Sequence, residues 1–311
     1  MWRYILKRLI MMIFVVLGVA ILIFTIMYFV PGNPAQIILG SAATPEQVSI
    51  LEHKMGLDRP YIVQLGIFLR DFFLKGDMGT SYMTKTSVAA EFATRFPRTL
   101  ILASMCILVS VVLGIPLGIY AATHQGQFGD YAAIVLSMLG LAVPGFWMAL
   151  MLVKIFSVDL GWLPPFGIGG AKYYVLPILA NSLGTISINA RAARTDLLEV
   201  IRSDYITTAR AKGVSEHNVI YKHGLPNALI PLVTMIGTGF GTSLGGTVII
   251  ESVFVMPGIG MYMTNGINNL DYPVVRSCVV VLAICFSLIM LAVDLIYAFI
   301  DPRIKAQYVG K

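Results

Sequence analysis

The chain has 311 residues, 57% of them hydrophobic and only 12% charged, with a mean hydropathy of +0.82. Soluble globular domains carry about 25% charged residues, so this composition excludes an ordinary water-soluble domain and points to a bilayer. The net charge of +6 does not indicate nucleic acid, because most Lys and Arg outside residues 31–98 flank apolar runs, as in membrane proteins.

Arg3, Lys7 and Arg8 precede an apolar run over 9–30, long enough to cross about 30 Å of hydrocarbon. A cleaved signal peptide has a shorter core and a small-residue cleavage site, so the run is expected to be a retained first span. Five more spans follow near 98–122, 131–156, 174–195, 227–250 and 277–300. Between the first two, residues 31–97 form a separate segment. Thr44-Pro45-Glu46-Gln47 has the pattern of a capping box, and Gly56 is the expected helix stop. From Pro60 to Lys75, Ile62, Leu65, Leu69, Phe72 and Phe73 share one helical face, which predicts an amphipathic helix at a membrane interface. Such a segment suits either a lid over the core or a shelf for an external partner.

The remaining spans are irregular. Gly114, Pro116 and Gly118 loosen the second, Pro144-Gly145 interrupts the third, and Gly237, Gly239, Gly241, Gly245 and Gly246 thin the fifth. Small residues allow close helix approach, and kinks are tolerated where neighbours satisfy the freed backbone groups. Basic residues fix the orientation. The 192–226 loop carries Arg194, Arg202, Arg210, Lys212 and Lys222, and the tail carries Arg303, Lys305 and Lys311; the 157–173 loop has Lys172 alone and 251–276 only Arg276. The positive-inside rule then places both termini and the 192–226 loop in the cytoplasm and 31–97 outside.

The chemistry of an enzyme is missing from the sequence. His53, His124, His217 and His223 all map to loops, Cys106, Cys278 and Cys285 lie in apolar runs without metal spacing, and there is no H-E-x-x-H, G-x-S-x-G or GxxxxGK[ST] motif. If this chain's work is driven by a nucleotide, another chain must bind it. Within the spans, Lys154 is near enough to an end to snorkel. Asp294, seven residues before Asp301 and so about 10 Å deep at 1.5 Å per residue, is expected to pair with Arg3, Arg8 or a basic residue of the 192–226 loop rather than relay protons. Asn181, Asn189, Thr242 and Ser243 are the candidate pathway residues, polar groups that equally suit hydrogen bonds between helices.

The 204–231 stretch is a polar island between apolar runs. Ser203 or Asp204 is expected to cap a short helix ending at Gly213, and Ser215 a second ending near Gly224. Tyr205, Ala209 and Gly213 follow i, i+4, i+8 spacing, a small-residue face fit for another protein's groove, with Arg210 and Lys212 at its rim. The plainer reading is an ordinary basic loop with helical character.

The letters themselves decide between these. Thr207-Thr208-Ala209-x-Ala211-x-Gly213 followed by Leu225-Pro226 resembles the EAA loop of ABC importer permeases, with Thr207-Thr208 in place of the usual Glu-Ala and His223 at the common Ile position. The order of further motifs resembles the peptide, nickel and glutathione branch nearly end to end. These are Pro31-Gly32-Asn33-Pro34, Gly56-Leu57-Asp58-x-Pro60, Gly76-Asp77-Met78-Gly79-Thr80-Ser81, Leu160-Gly161-Trp162-Leu163-Pro164, Glu251-x-Val253-Phe254, Pro257-Gly258-Ile259-Gly260, Asp271-Tyr272-Pro273 and Asp301-Pro302-Arg303.

The resemblance implies an all-α integral membrane protein of six transmembrane helices with the type I ABC importer permease fold. Residues 1–30 would hold the tail and first helix, 31–95 the extracytoplasmic segment, 96–298 the permease core with its coupling loop at 203–226, and 299–311 the cytoplasmic tail. Tyr205, Thr207, Thr208, Ala209, Ala211, Gly213, Leu225 and Pro226 would couple it to ATPases. Implied partners are a second related permease, two cytoplasmic ATPases that bind ATP and Mg²⁺, an extracytoplasmic substrate-binding protein and the lipid bilayer, with no cofactor on this chain. The alternatives are a carrier or channel acting alone, or a membrane enzyme, and within the family peptides lead over metal chelates and glutathione as cargo.

Overall fold

The structure, a computed structural model, describes residues 2–300. The tail with Arg303, Lys305 and Lys311, the Asp301-Pro302-Arg303 match and the Arg3 side chain lie outside the described residues. Among them the regular structure is helical, apart from a lone bridge between Thr80 and Ser87. In chain order the helices are α1 (Trp2–Phe29), α2 (Pro34–Leu39), α3 (Pro45–Met55), α4 (Tyr61–Lys75), α5 (Val88–Thr123), α6 (Phe128–Ala142), α7 (Gly145–Leu152), α8 (Lys172–Ile201), α9 (Asp204–Ala211), α10 (Glu216–Asn218), α11 (Leu225–Val253), α12 (Ile259–Asn268) and α13 (Tyr272–Ile300). Wider π turns extend α7 over Val153–Asp159 and join α10 to α11 over Val219–Gly224.

Three helices are long and apolar enough to cross a membrane by themselves, at Ile5–Phe29, Val88–Thr123 and Tyr272–Leu295. Two bent pairs bring the number to five when each counts as one span: α6 with α7 and its π turn, bent by 98°, and Glu216–Leu229 with Pro231–Gly245, bent by 48°. The first bend falls at Pro144, as expected, since a proline forces the residue before it out of the helical region and Val143 is extended (φ −87°, ψ 122°). Helix α8, at the expected 174–195 span, carries the buried polar residues Ser182, Ser187 and Asn189 and is not among the apolar candidates.

The chain divides into two compact units. One comprises residues 2–99 and 257–288. There the Thr44–Gln47 capping box forms in full and Gly56 closes α3 in the left-handed conformation. The expected apolar face of α4 is rotated: Phe68, Leu69 and Phe72 pack against Val16, Ala20 and Val280, while Ile62 is 77% exposed and Phe73 is also exposed. Phe68 lies on the other side of Phe72 from Ile62 and Phe73, and its ring stacks on Phe24 of α1 with centroids 5.7 Å apart, so the buried stripe includes it. Asp271 gathers residues 81–83, accepting from Ser81 Oγ (2.5 Å) and from the N–H groups of Tyr82 and Met83 (3.0 and 3.3 Å). Ser277 Oγ donates to the Met78 carbonyl at 2.7 Å. Two motifs some 190 residues apart, Gly76 to Ser81 and Asp271 to Pro273, thus form one knot.

The other unit is built from residues 100–256 and the end of α13. Its core joins Leu102 and Cys106 of α5, Ala149 of α7, Leu176 and Ile178 of α8, and Ile250, Phe254 and Met256. Close approach of α5 to α8 depends on glycine. A Cβ at Gly118 would lie 2.3 Å from the Ala190 carbonyl oxygen and one at Gly114 2.7 Å from that of Ile186. In α11 the glycines divide, with Gly237 pressed on Val293 and Gly245 facing open space.

Candidate coupling surface

The polar island folds as a short bracket between α8 and α11. Ser203 occupies the N-cap position of α9, but its hydroxyl turns back to donate to the Val200 carbonyl at 2.6 Å. A single apolar anchor holds the helix down: Ile206 is completely buried, with α9 resting on the end of α8 and on the π turn. Leu197, Ala122 and Ala228 form a small core with Ile201 and Ile220.

Gly213 stands after the helix ends, not on its face. It adopts φ +76°, its N–H donates to the Arg210 carbonyl (2.9 Å), and the Val214 N–H reaches the Ala209 carbonyl (3.3 Å). This pair of bonds is a Schellman motif, which needs a left-handed residue and so favours glycine. The expected i, i+4, i+8 face of Tyr205, Ala209 and Gly213 therefore does not exist as a helical stripe, since α9 stops at Ala211. The surface that is presented consists of Tyr205, Thr207, Thr208, Ala211, Lys212 and Gly213, all exposed, with Ala209 half-buried.

Side chains brace this bracket from within. The Arg210 guanidinium forks onto Glu216 at 2.6 and 3.1 Å, so it spans the Gly213 turn instead of standing free at the rim. Arg210 holds the Glu216 carboxyl below its ordinary range through that hydrogen bond. Tyr205 Oη accepts from Asn227 Nδ2 at 2.8 Å, tying α9 to the first turns of α11. The hydroxyls of Thr207 and Thr208 donate to the Ser203 and Asp204 carbonyls.

The expected stop at Gly224 is corrected: the backbone there is right-handed (φ −84°) and the π turn runs directly into α11, with Leu225 and Pro226 in its first turn. Gly224 is buried beside Leu197 and Val200, so it serves packing, not termination. None of the four histidines lies in the three helices that are apolar enough to cross by themselves: His53 is in the last turn of α3, His124 in the turn after α5, His217 in α10 and His223 in the π turn.

Sequence reasoning missed the strongest polar contact nearby. Asp130, 2% exposed in the first turn of α6, receives a two-pronged bond from Arg194 of α8, at 2.6 and 2.8 Å. It also accepts from the Gly126 N–H at 3.0 Å. The partners are 64 residues apart, and only the lone carboxylate in an otherwise near-neutral turn hinted at it.

The candidate pathway residues separate into two kinds. Asn189 Nδ2 donates to Ser110 Oγ (3.1 Å) and Asn181 Nδ2 to Cys106 Sγ (3.4 Å), both from α8 to α5. Thr242 is exposed and bonded to its own helix at Gly239 O, and Ser243 is buried. Lys154 pairs with Asp159 at 2.7 Å. Among the described residues no His, Cys, Asp or Glu cluster could hold a metal.

Comparison with known proteins names this architecture. Residues 114–306 match the family described as the binding-protein-dependent transport system inner membrane component, and residues 1–103 its N-terminal membrane component. The chain belongs to this family. The permease is 41% identical to the dipeptide transport system permease protein DppB of Alkalihalophilus pseudofirmus, covering 98% of this chain and 100% of that one. It is 40% identical to the glutathione transport system permease protein GsiC of Salmonella choleraesuis and 37% identical to GsiC of Escherichia coli K12, each over 98% of this chain and 99% of the relative. A solved inward-facing MetNI methionine ABC transporter shares the fold of 68% of this chain and 96% of its own, with a TM-score of 0.57 at 22% identity. The permease is thus the membrane subunit of an ABC importer, a multi-pass transport protein and not an enzyme, with ATP hydrolysis left to a separate subunit.

Proposed function

We propose that this permease imports short peptides, or glutathione as a peptide of similar size, through the cytoplasmic membrane. Six spans cross it: α1, α5, the bent α6–α7 pair, α8, α11 and α13, with α8 shielded by its neighbours because of its polar residues. Both termini and the α9 bracket are cytoplasmic, and the 31–95 segment is extracytoplasmic. The chain works beside a second, related permease, with two ATPases holding ATP and Mg²⁺ and a binding protein delivering cargo; it needs no cofactor of its own.

The observation that carries this reading is the bracket itself: an exposed short helix, anchored by Ile206 and braced by Arg210–Glu216, projecting from the junction of α8 and α11. Such an element can transmit an ATPase movement to both long helices at once. ATP binding on the partners would favour one packing of the spans and hydrolysis the other, which is a shift of population driven by a ligand on a neighbouring subunit. Tyr205, Thr207, Thr208, Ala209, Ala211, Gly213, Leu225 and Pro226 form the grip and its root. Thr242 and Ser243 of α11 remain pathway candidates, whereas Asn181 and Asn189 act first as ties between α5 and α8.

Peptide cargo is supported by the dipeptide and glutathione relatives. The test is reconstitution with the partner subunits in liposomes, measuring ATPase stimulation by binding protein loaded in turn with dipeptides, glutathione and a nickel chelate. Stimulation by dipeptide or glutathione is expected. Transport by this chain without ATPases would overturn the reading in favour of a stand-alone carrier.

A further inference from the structure

Arg276 of α13 is only 7% exposed. Its guanidinium carbon lies 4.1 Å from the centre of the Phe24 ring and 4.8 Å from that of Tyr272. Its Nε and Nη2 are buried without a hydrogen-bond partner. Ring faces return part of a cation's lost hydration, but a buried cation is ordinarily met by an anion. The neighbouring carboxylates are engaged elsewhere: Asp271 by residues 81–83, Asp71 by Arg70 and Lys75, and Asp77 by the Gly79 N–H.

Arg276 also lines a cavity of about 370 Å³, together with Lys54, Arg59, Tyr82 and the two carboxylates Asp71 and Asp77. Lys54 and Arg59 are exposed, so they add positive charge where the cavity meets solvent. Ile67 and Phe68 supply an apolar wall. Clefts of roughly 300–1,000 Å³ with a few convergent polar groups are the usual size of small-molecule sites.

We propose that this cavity is a binding site for a small molecule bearing an oxyanion, a carboxylate or a phosphate, whose charge is placed against Arg276. Lys54 and Arg59 draw the anion in, and the apolar wall takes the rest of the molecule. The site shares no residue with the α9 bracket and does not depend on the transport reading. A soluble carboxylate such as a dipeptide, or the phosphate of a lipid headgroup, offers the required chemistry.

The experiment uses the full chain in phosphatidylcholine nanodiscs. One arm titrates alanyl-alanine, its C-terminal amide and inorganic phosphate by calorimetry; the other measures retention of phosphatidylglycerol by native mass spectrometry. Saturable binding in either arm, weakened about tenfold or more by Arg276→Gln, is expected for loss of a charge-assisted contact. The arm that responds identifies the source of the oxyanion, and a soluble carboxylate source further requires that the amide bind more weakly than the acid. If Arg276→Gln fails to accumulate, the exposed pair Lys54→Ala with Arg59→Ala decides, with severalfold weaker binding expected. No saturable binding of any probe, or affinity unchanged in the variants, overturns the proposal.

Discussion

Replacing Asp130 by asparagine keeps the shape of the side chain but leaves Arg194 without its counter-charge; Arg194→Met does the reverse and strands a carboxylate that is 2% exposed. Two charge-assisted bonds, at 2.6 and 2.8 Å, are each worth about 1.5–3 kcal/mol. The Arg194 side chain keeps 22% of its exposure, so solvent screening lowers the sum toward a coupling energy of about 2–4 kcal/mol. Asp130 also sits in the first turn of α6, where the helix dipole favours it by about 0.3–1 kcal/mol. A double-mutant cycle cancels that term, since it enters both Asp130 steps equally. The assay is reversible unfolding in mixed micelles by SDS titration, followed by circular dichroism, for the parent, the two single variants and the double variant. Single variants that simply add, with a coupling energy below about 0.5 kcal/mol, would refute the claim that this fork holds the turn after α5 onto α8.

Gly213→Asn should keep the fold, because asparagine tolerates the left-handed backbone at φ +76°, while Gly213→Val should lose about 1–2 kcal/mol to strain. Gly213→Asp should abolish ATP-driven uptake with normal membrane abundance; normal uptake would remove Gly213 from the coupling surface. Gly118→Ala should destabilise by about 1–3 kcal/mol, since its Cβ would meet the Ala190 carbonyl at 2.3 Å, whereas Gly184→Ala, with nothing within 4 Å, should be neutral or mildly stabilising by the same unfolding assay. His53 holds the Asp58 carboxyl below its ordinary range, chiefly through their 2.6 Å hydrogen bond. The small stabilisation this implies is present above the ordinary carboxylate range and fades as pH falls through the lowered value. His53→Gln should move the Asp58 titration upward, as read by carboxyl ¹³C NMR.

Features that depend on a few adjacent residues were legible in the sequence. The Thr44–Gln47 box, the Gly56 and Gly213 turns and the Pro144 break each follow from local backbone chemistry, and each stands where the letters put it. Rotation about a helix axis was less legible, because the buried face of α4 is the one that meets residues distant in sequence, Val16, Ala20 and Val280. Gly224 shows the limit of punctuation: the same residue type that ends a helix at positive φ also serves where two helices need a small neighbour. Contacts across long sequence separation were not legible at all. Asp130 meets Arg194, and Asn227 reaches back to Tyr205, only because the fold brings distant turns together.

In the bracket, the residues that set the shape and the residues that face outward are different ones. Its shape is set by backbone bonds around Gly213, one buried isoleucine and one fork between Arg210 and Glu216. The outward side chains, notably Thr207, Ala211 and Lys212, contribute little to that shape. They therefore carry little of the fold's own demand, so substitutions there should change what the bracket presents to its surroundings while leaving its shape intact.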